Sequence, residues 1–146
     1  MNSKANAYQQ ADILGRSQLD LIIRVYDGII KAFSDARAAF ERADNATAYE
    51  QLERAKKFLT HLYTTLDTER GGEIAEQLGE MYAFVINEVN VIEAVKDPAR
   101  IDDNMTIVNN LRMGWVDLKN QLANQSRKEP AEAILASAGA GFTTSA

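Results

Sequence analysis

The chain holds a single histidine, His61, in a stretch with Arg54, Lys57 and Thr65 on the same polar side of a helical pattern. An imidazole can act as an acid or base, ligate a metal or accept a phosphoryl group. Each role needs partners. A di-iron site in a helical bundle draws Glu-x-x-His pairs from two helices. Here one histidine is preceded three residues earlier by Phe58, which excludes that site. The chain has no cysteine, so zinc–thiolate centres and disulfides are excluded too. It contains no P-loop, no GxGxxG and no GxSxG. Glu69 and Glu73, beside Gly71-Gly72, read as helix-end charges rather than as an acid–base pair. The residues therefore point to a protein that binds rather than catalyses, with no cofactor or metal.

Only helices are long enough to organise this sequence. Both prolines are late, Pro98 and Pro130, and most of the eight glycines fall at boundaries, leaving long unbroken segments. Ser17 is a candidate N-cap with Asp20 three residues on. From there Leu19, Ile22, Val25, Tyr26, Ile29, Ile30, Phe33 and Phe40 recur at a helical period. Asp44-Asn45 interrupts the pattern. Thr47 can cap a second helix carrying Leu52, Ala55, Leu59, Leu62 and Leu66, which Gly71-Gly72 ends. A third carries Ile74, Leu78, Met81, Tyr82, Val85, Val89 and Ile92 and stops at Asp97-Pro98. Pro98 suits the first turn of a fourth helix with Ile101, Met105, Val108, Leu111, Trp115, Leu118 and Leu122. Short connections between four amphipathic helices predict an all-α antiparallel four-helix bundle. Its expected extent is residues 17–126, with an N-terminal flap or lid over 1–16 and a short helix plus a mobile tail over 127–146.

The apolar pattern exceeds what a bundle core needs. A core-facing stripe covers roughly 100° of a helix. On the third helix Phe84, Val91 and Val95 widen that arc to about twice the norm. On the fourth, Met105, Met113 and Val116 lie outside the main stripe, and on the first so do Leu21 and Ile23. Surplus apolar positions on neighbouring helices suggest an exposed groove that takes a partner segment. Tyr8, Ile13 and Leu14, in an otherwise polar N-terminal stretch, suit a lid over such a groove. The net charge is −5 and no basic block occurs, so a nucleic-acid partner is not expected. The longest apolar runs are far too short for a membrane span, and MNSKANAYQQAD lacks the apolar core of a secretory signal.

Several stretches together resemble the flagellar secretion chaperone family FliS. YQQ at 8–10 is similar to the family's N-terminal tyrosine element. LIIRVYDGIIKAF at 21–33 is similar to its first-helix motif around Tyr26, Asp27 and Gly28. LYTTLDTERGGEIAEQLGEMYAF at 62–84 is similar to its corner between helices two and three, with Leu62, Leu66, Asp67, Gly72, Leu78 and Tyr82. Asp97 and Trp115 follow at the family's separation. The likeness runs from about Tyr8 to Leu122. It departs at Ser17-Gln18, where the family has a Ser/Thr-Pro pair, at Arg24, and at Val91, Ile92 and Glu93, which replace a Glu-Ala-Asn segment.

The resemblance implies a cytoplasmic chaperone that binds the disordered C-terminal segment of flagellin, blocks premature polymerisation and keeps it competent for flagellar type III secretion. It also implies contacts with the export gate and other flagellar assembly proteins. With the surplus apolar positions, it gives as partner-binding candidates Tyr8, Ile13, Leu14, Leu21, Tyr26, Leu78, Tyr82, Phe84, Val91, Met105 and Met113. Two alternatives stand beside it: a helical adaptor for another export substrate or regulator, and a phosphotransfer bundle using His61. Against the latter, Leu62, Tyr63, Thr64 and Thr65 follow the histidine where such domains usually carry a lysine and a glycine.

Overall fold

A computed structural model describes the backbone of residues 2–128 and the side chains of residue 15 and residues 17–125. Four helices account for the described chain: α1 (Asn2–Glu41), α2 (Asn45–Thr64), α3 (Thr68–Val95) and α4 (Pro98–Lys128). No strand occurs among the described residues, and the all-α four-helix fold stands as the periodicity predicts. The chain divides into two compact units, one of residues 25–112 and one of residues 1–24 with 113–146.

The unit of residues 25–112 takes a segment from every helix and is itself a four-helix bundle. Its core is built from Tyr26, Ile29, Phe33, Leu52, Leu59, Tyr82, Val85, Val89, Ile92, Ile101 and Val108. Alanines 32, 36, 39, 48 and 55 are fully buried between them. Small side chains at these positions let helix backbones approach one another, and burial of the large ones supplies the driving force at about 25 cal/mol per Å². Helices α1 and α4 run antiparallel and are clasped twice. Arg37 grips Asp102 through two bonds, Nε–Oδ1 at 2.6 Å and Nη2–Oδ2 at 2.8 Å. Ten residues back on α1 and ten forward on α4, Arg112 Nε donates to Asp27 Oδ1 at 2.6 Å. In the other unit, Lys119 Nζ lies 2.5 Å from Asp20 Oδ1, and Leu19 and Ile23 are buried.

The YDG triplet of α1 is a packing device. Tyr26 is fully buried and shares a 2.5 Å hydroxyl–hydroxyl bond with Tyr82 of α3. Asp27 takes the Arg112 bond described above. At Gly28 an added Cβ would sit 3.0 Å from the Phe58 ring of α2, so glycine is what allows that aromatic to close on α1.

The helix boundaries differ from the sequence reading in three places. Helix α1 passes straight through Ser17, which is therefore no N-cap. The residues before it are mostly good helix formers without a proline, and a capping residue starts a helix only where something interrupts the preceding one. The cap of α2 is Asp44, whose side chain accepts from the Thr47 backbone N–H at 3.1 Å. An aspartate one turn earlier outcompetes the threonine. Helix α2 ends at Thr64, before Gly71-Gly72, because the Thr64 and Thr65 hydroxyls fold back onto the His61 carbonyl and compete with the backbone ladder. Asp67 then caps α3 by accepting from Arg70 N–H at 3.1 Å, and Gly72 breaks the run with φ 56° and ψ −133°, a conformation suited to glycine. As expected, α4 opens at Pro98, with Asp97 Oδ1 accepting from Ala99 N–H at 3.0 Å.

Burial also corrects several core assignments. Ile74 is 71% exposed, because threes and fours counted back from Val85 reach Ala75 instead. Ile23, placed off the stripe, is buried, and Leu118 is partly exposed. The side chains of Tyr8, Ile13 and Leu14, and residues 129–146, lie outside the described residues; the backbone of 2–16 is helical and continuous with α1.

The tyrosine pair is testable. Removing one hydroxyl from a buried hydrogen-bonded pair costs about 1–3 kcal/mol, whereas removing the second as well adds less. Tyr82→Phe should lower stability, and Tyr26→Phe/Tyr82→Phe should be less destabilised than the two single changes predict, by about 0.5 kcal/mol or more. Urea unfolding of the four proteins measures this coupling, and strict additivity would refute it.

Candidate partner-binding seam

Helix α3 carries two apolar seams side by side. The inner one, Ala75, Leu78, Tyr82, Val85, Val89 and Ile92, steps in threes and fours and faces the core, with all but the half-buried Leu78 buried. The outer one is displaced by one residue: Met81, Phe84, Glu88 and Val91 each precede an inner-seam residue, and Val95 continues their spacing. One residue of α-helix is a rotation of roughly 100°, so the outer seam looks away from the core. Phe84 is 49% exposed and Val95 is 55% exposed, while Met81 and Val91 are half-buried. At the alternating spacing of a coiled-coil interface, this seam extends over about 21 Å.

Glu88, at the centre of the outer seam, shows which way it faces. Its Oε1 accepts from Arg100 Nε at 3.1 Å and from Asn104 Nδ2 at 3.2 Å, both on α4. The outer seam therefore runs along the α4 side of α3. Ile107 and Leu111, one and two turns beyond Asn104 on the same α4 face, are half-buried. Asn104 is the one fully buried polar residue among those described; its Nδ2 also reaches the Arg100 carbonyl at 2.9 Å, and its Oδ1 has no partner. This Glu88–Arg100–Asn104 trio escaped the sequence reading. Its only sequence signal is a charge at a position where the outer repeat calls for an apolar residue.

The other candidates separate by environment. Tyr26 and Tyr82, two of the partner-binding candidates, are core residues, 0% and 2% exposed, as their places on the periodic stripes of α1 and α3 require, and neither offers a surface to a partner in this structure. Burial pushes the Tyr82 hydroxyl far above the ordinary phenol range, and its bond to Tyr26 adds to the effect, so the Tyr82 hydroxyl stays neutral. Leu78 is half-buried on the inner seam. Met105 lines a shallow depression on the α1 side of α4 with Ile30, Asp102, Thr106 and Asn109. Leu21 and Met113, in the other unit, are 61% and 53% exposed. His61 is exposed near the end of α2. Among the described residues no group of acidic, histidine or cysteine side chains could hold a metal ion, and no helix is long and apolar enough to cross a membrane.

The model of the family described as flagellar protein FliS matches residues 1–122. The chain belongs to the FliS family. Among its relatives, the flagellar secretion chaperone FliS of Salmonella typhimurium is 27% identical over 131 residues, spanning 86% of this chain and 97% of that one. The Campylobacter jejuni flagellar secretion chaperone FliS is 27% identical over 119 residues, 82% of this chain and 93% of the relative. That of Vibrio cholerae is 26% identical over 102 residues, 70% and 75% respectively. The family match ends just short of the end of α4, so the outer seam and its Glu88–Arg100–Asn104 clasp lie within it. In this FliS chain Val91 stands half-buried on the outer seam, and Glu93, two residues on, faces α2.

Glu93 is 11% exposed at the side chain and lies 3.4 Å from Lys56 Nζ, which is itself 2.6 Å from Glu53. Burial pushes the Glu93 carboxyl above its ordinary range, and contact with the Glu53 carboxyl adds to this against the pull of Lys56. The folded chain thus holds the Glu93 proton more tightly than the unfolded chain. That contribution to stability is present below the ordinary carboxylate range and is lost as pH rises through the folded value. Glu93→Gln should therefore gain in melting temperature relative to the parent as pH is raised from about 4 to about 8. Thermal melts across that range check the sign; a gap independent of pH would contradict it.

Proposed function

We propose that this FliS-family chain is a cytoplasmic export chaperone that binds the disordered C-terminal segment of flagellin, prevents its premature polymerisation and keeps it competent for flagellar secretion. The family supplies the class of activity, and the relatives are named flagellar secretion chaperones. The observation that carries the reading to a mechanism is the outer seam of α3. A stripe with Phe84 and Val95 half-exposed at alternating spacing offers an amphipathic segment a ready-made partner face.

The energetics suit a chaperone. Apolar burial along the seam favours the complex, while ordering a disordered segment opposes it by several kcal/mol. A wrapped client is therefore held firmly enough to be kept from self-assembly, and its release stays within reach. Binding alone performs the task; no proton or group is transferred.

Calorimetry with a peptide spanning the C-terminal segment of flagellin from the same organism tests this. One-to-one binding with a large negative heat-capacity change is the expected signature of folding on binding. Phe84→Asp should weaken it about tenfold or more. The same change should leave the melting temperature nearly untouched, since Phe84 lies outside the core. His61→Gln should bind like the parent. Absence of binding by the folded parent protein would overturn the flagellin assignment.

A further inference from the structure

We infer that the Glu88–Arg100–Asn104 trio is a register and specificity determinant for the segment that docks on the outer seam, demanding a hydrogen-bond acceptor on that segment between two apolar side chains. The inference rests on the proposed client-binding role of the seam and adds to it what the client must look like.

Stability gives no reason for the trio. Asn104 is fully buried with Oδ1 unpaired, and a buried acceptor without a donor is destabilising. The Glu88 side chain is only 13% exposed, and apolar residues of similar volume commonly serve as well or better in place of a buried polar cluster. The best-attested use of a polar residue within an apolar helical seam is to fix register and partner choice, at a cost in stability. Here the seam reads apolar, apolar, polar, apolar, apolar: Met81, Phe84, Glu88, Val91, Val95.

The geometry says which chemistry the trio selects. Arg100 turns Nε to Glu88 and keeps its side chain 41% exposed at the centre of the seam. A guanidinium has five N–H donors and no acceptor. A docked segment that sets a carboxylate, an amide oxygen or a free carbonyl there satisfies the outward donors. A segment shifted by one residue sets an apolar side chain there instead, strips water from the guanidinium and returns nothing. Phe84 and Val91, one turn to either side of Glu88, would at the same time lose their apolar partners. Rejection of the wrong register thus comes from an unpaired charge, which discriminates more sharply than a missing methylene.

The test uses the full-length protein and two peptides: the flagellin C-terminal segment, and the same segment with one alanine inserted at its centre so that its two halves cannot both be in register. The parent should prefer the native peptide about tenfold or more. Arg100→Met, and separately Glu88→Leu/Arg100→Met/Asn104→Leu, should weaken the native peptide, whose acceptor loses its donor, about tenfold, weaken the inserted peptide little, and so reduce the preference to about twofold or less. Arg100→Met changes a partly exposed side chain and keeps the test intact if the triple variant does not fold. Circular dichroism melts establish that each variant compared is folded. A preference that survives in Arg100→Met, or a parent with no preference, overturns the inference while leaving the client assignment standing. A parent that binds neither peptide overturns both.

Discussion

The hydroxyl bond between Tyr26 and Tyr82 sets the rotation of α3, and the functional face follows from that rotation. Two aromatic rings from helices that are not neighbours in sequence meet in the core, their centroids 6.4 Å apart. Neither ring can turn outward without exposing a large apolar surface and stranding a hydroxyl. With Tyr82 pointing inward, each residue immediately before an inner-seam position must point about 100° away. Phe84, Glu88 and Val91 face the surface beside α4 because Val85, Val89 and Ile92 do not. The core bond and the candidate client surface are consequences of one angular choice.

The same economy shows in α1. Three consecutive residues that look like a recognition motif are each committed internally: Tyr26 to Tyr82, Asp27 to Arg112, Gly28 to the ring of Phe58. They touch α3, α4 and α2 in turn. One turn of helix thereby helps specify where the other three lie. The triplet holds the scaffold together, and the surface proposed to meet a client is written elsewhere, on α3 and α4.

What could be read in the sequence follows from which interactions are local. The threes-and-fours spacing of Leu52, Leu59, Val85, Val89 and Ile92 gave the helices and most of the core, and Asp97-Pro98 gave the start of α4. Ser17 misled because a cap preference is weak against an uninterrupted helix-forming stretch. Gly71-Gly72 misled because the threonine hydroxyls at the end of α2 act first. The excess of apolar residues at Phe84, Val91 and Val95 was visible on a helical wheel. Tyr26 and Tyr82 were legible as members of the core-facing stripes, while family likeness also marked them as binding candidates, because likeness marks a residue without saying which way it faces. The trio stayed hidden for another reason: Glu88 and Arg100 stand twelve residues apart across a helix connection, and single charges otherwise read as solvated.

Two seams one residue apart leave α3 with a rival packing. Turned by a single step, the helix would present Ile74, Met81, Phe84 and Val91 to the core in place of Ala75, Tyr82, Val85 and Ile92, with Gln77 and Glu88 in place of Leu78 and Val89. A folding chain has to reject that isomer, since it is reached by rotation alone and needs no change in secondary structure. Glu88 makes the rejection: at the middle of the rival core it would be an ionised carboxylate among aliphatics, far from Arg100. The residue that interrupts the outer seam thus also removes a trap from the folding landscape, so that a half-exposed apolar face does not misdirect the folding of its own helix.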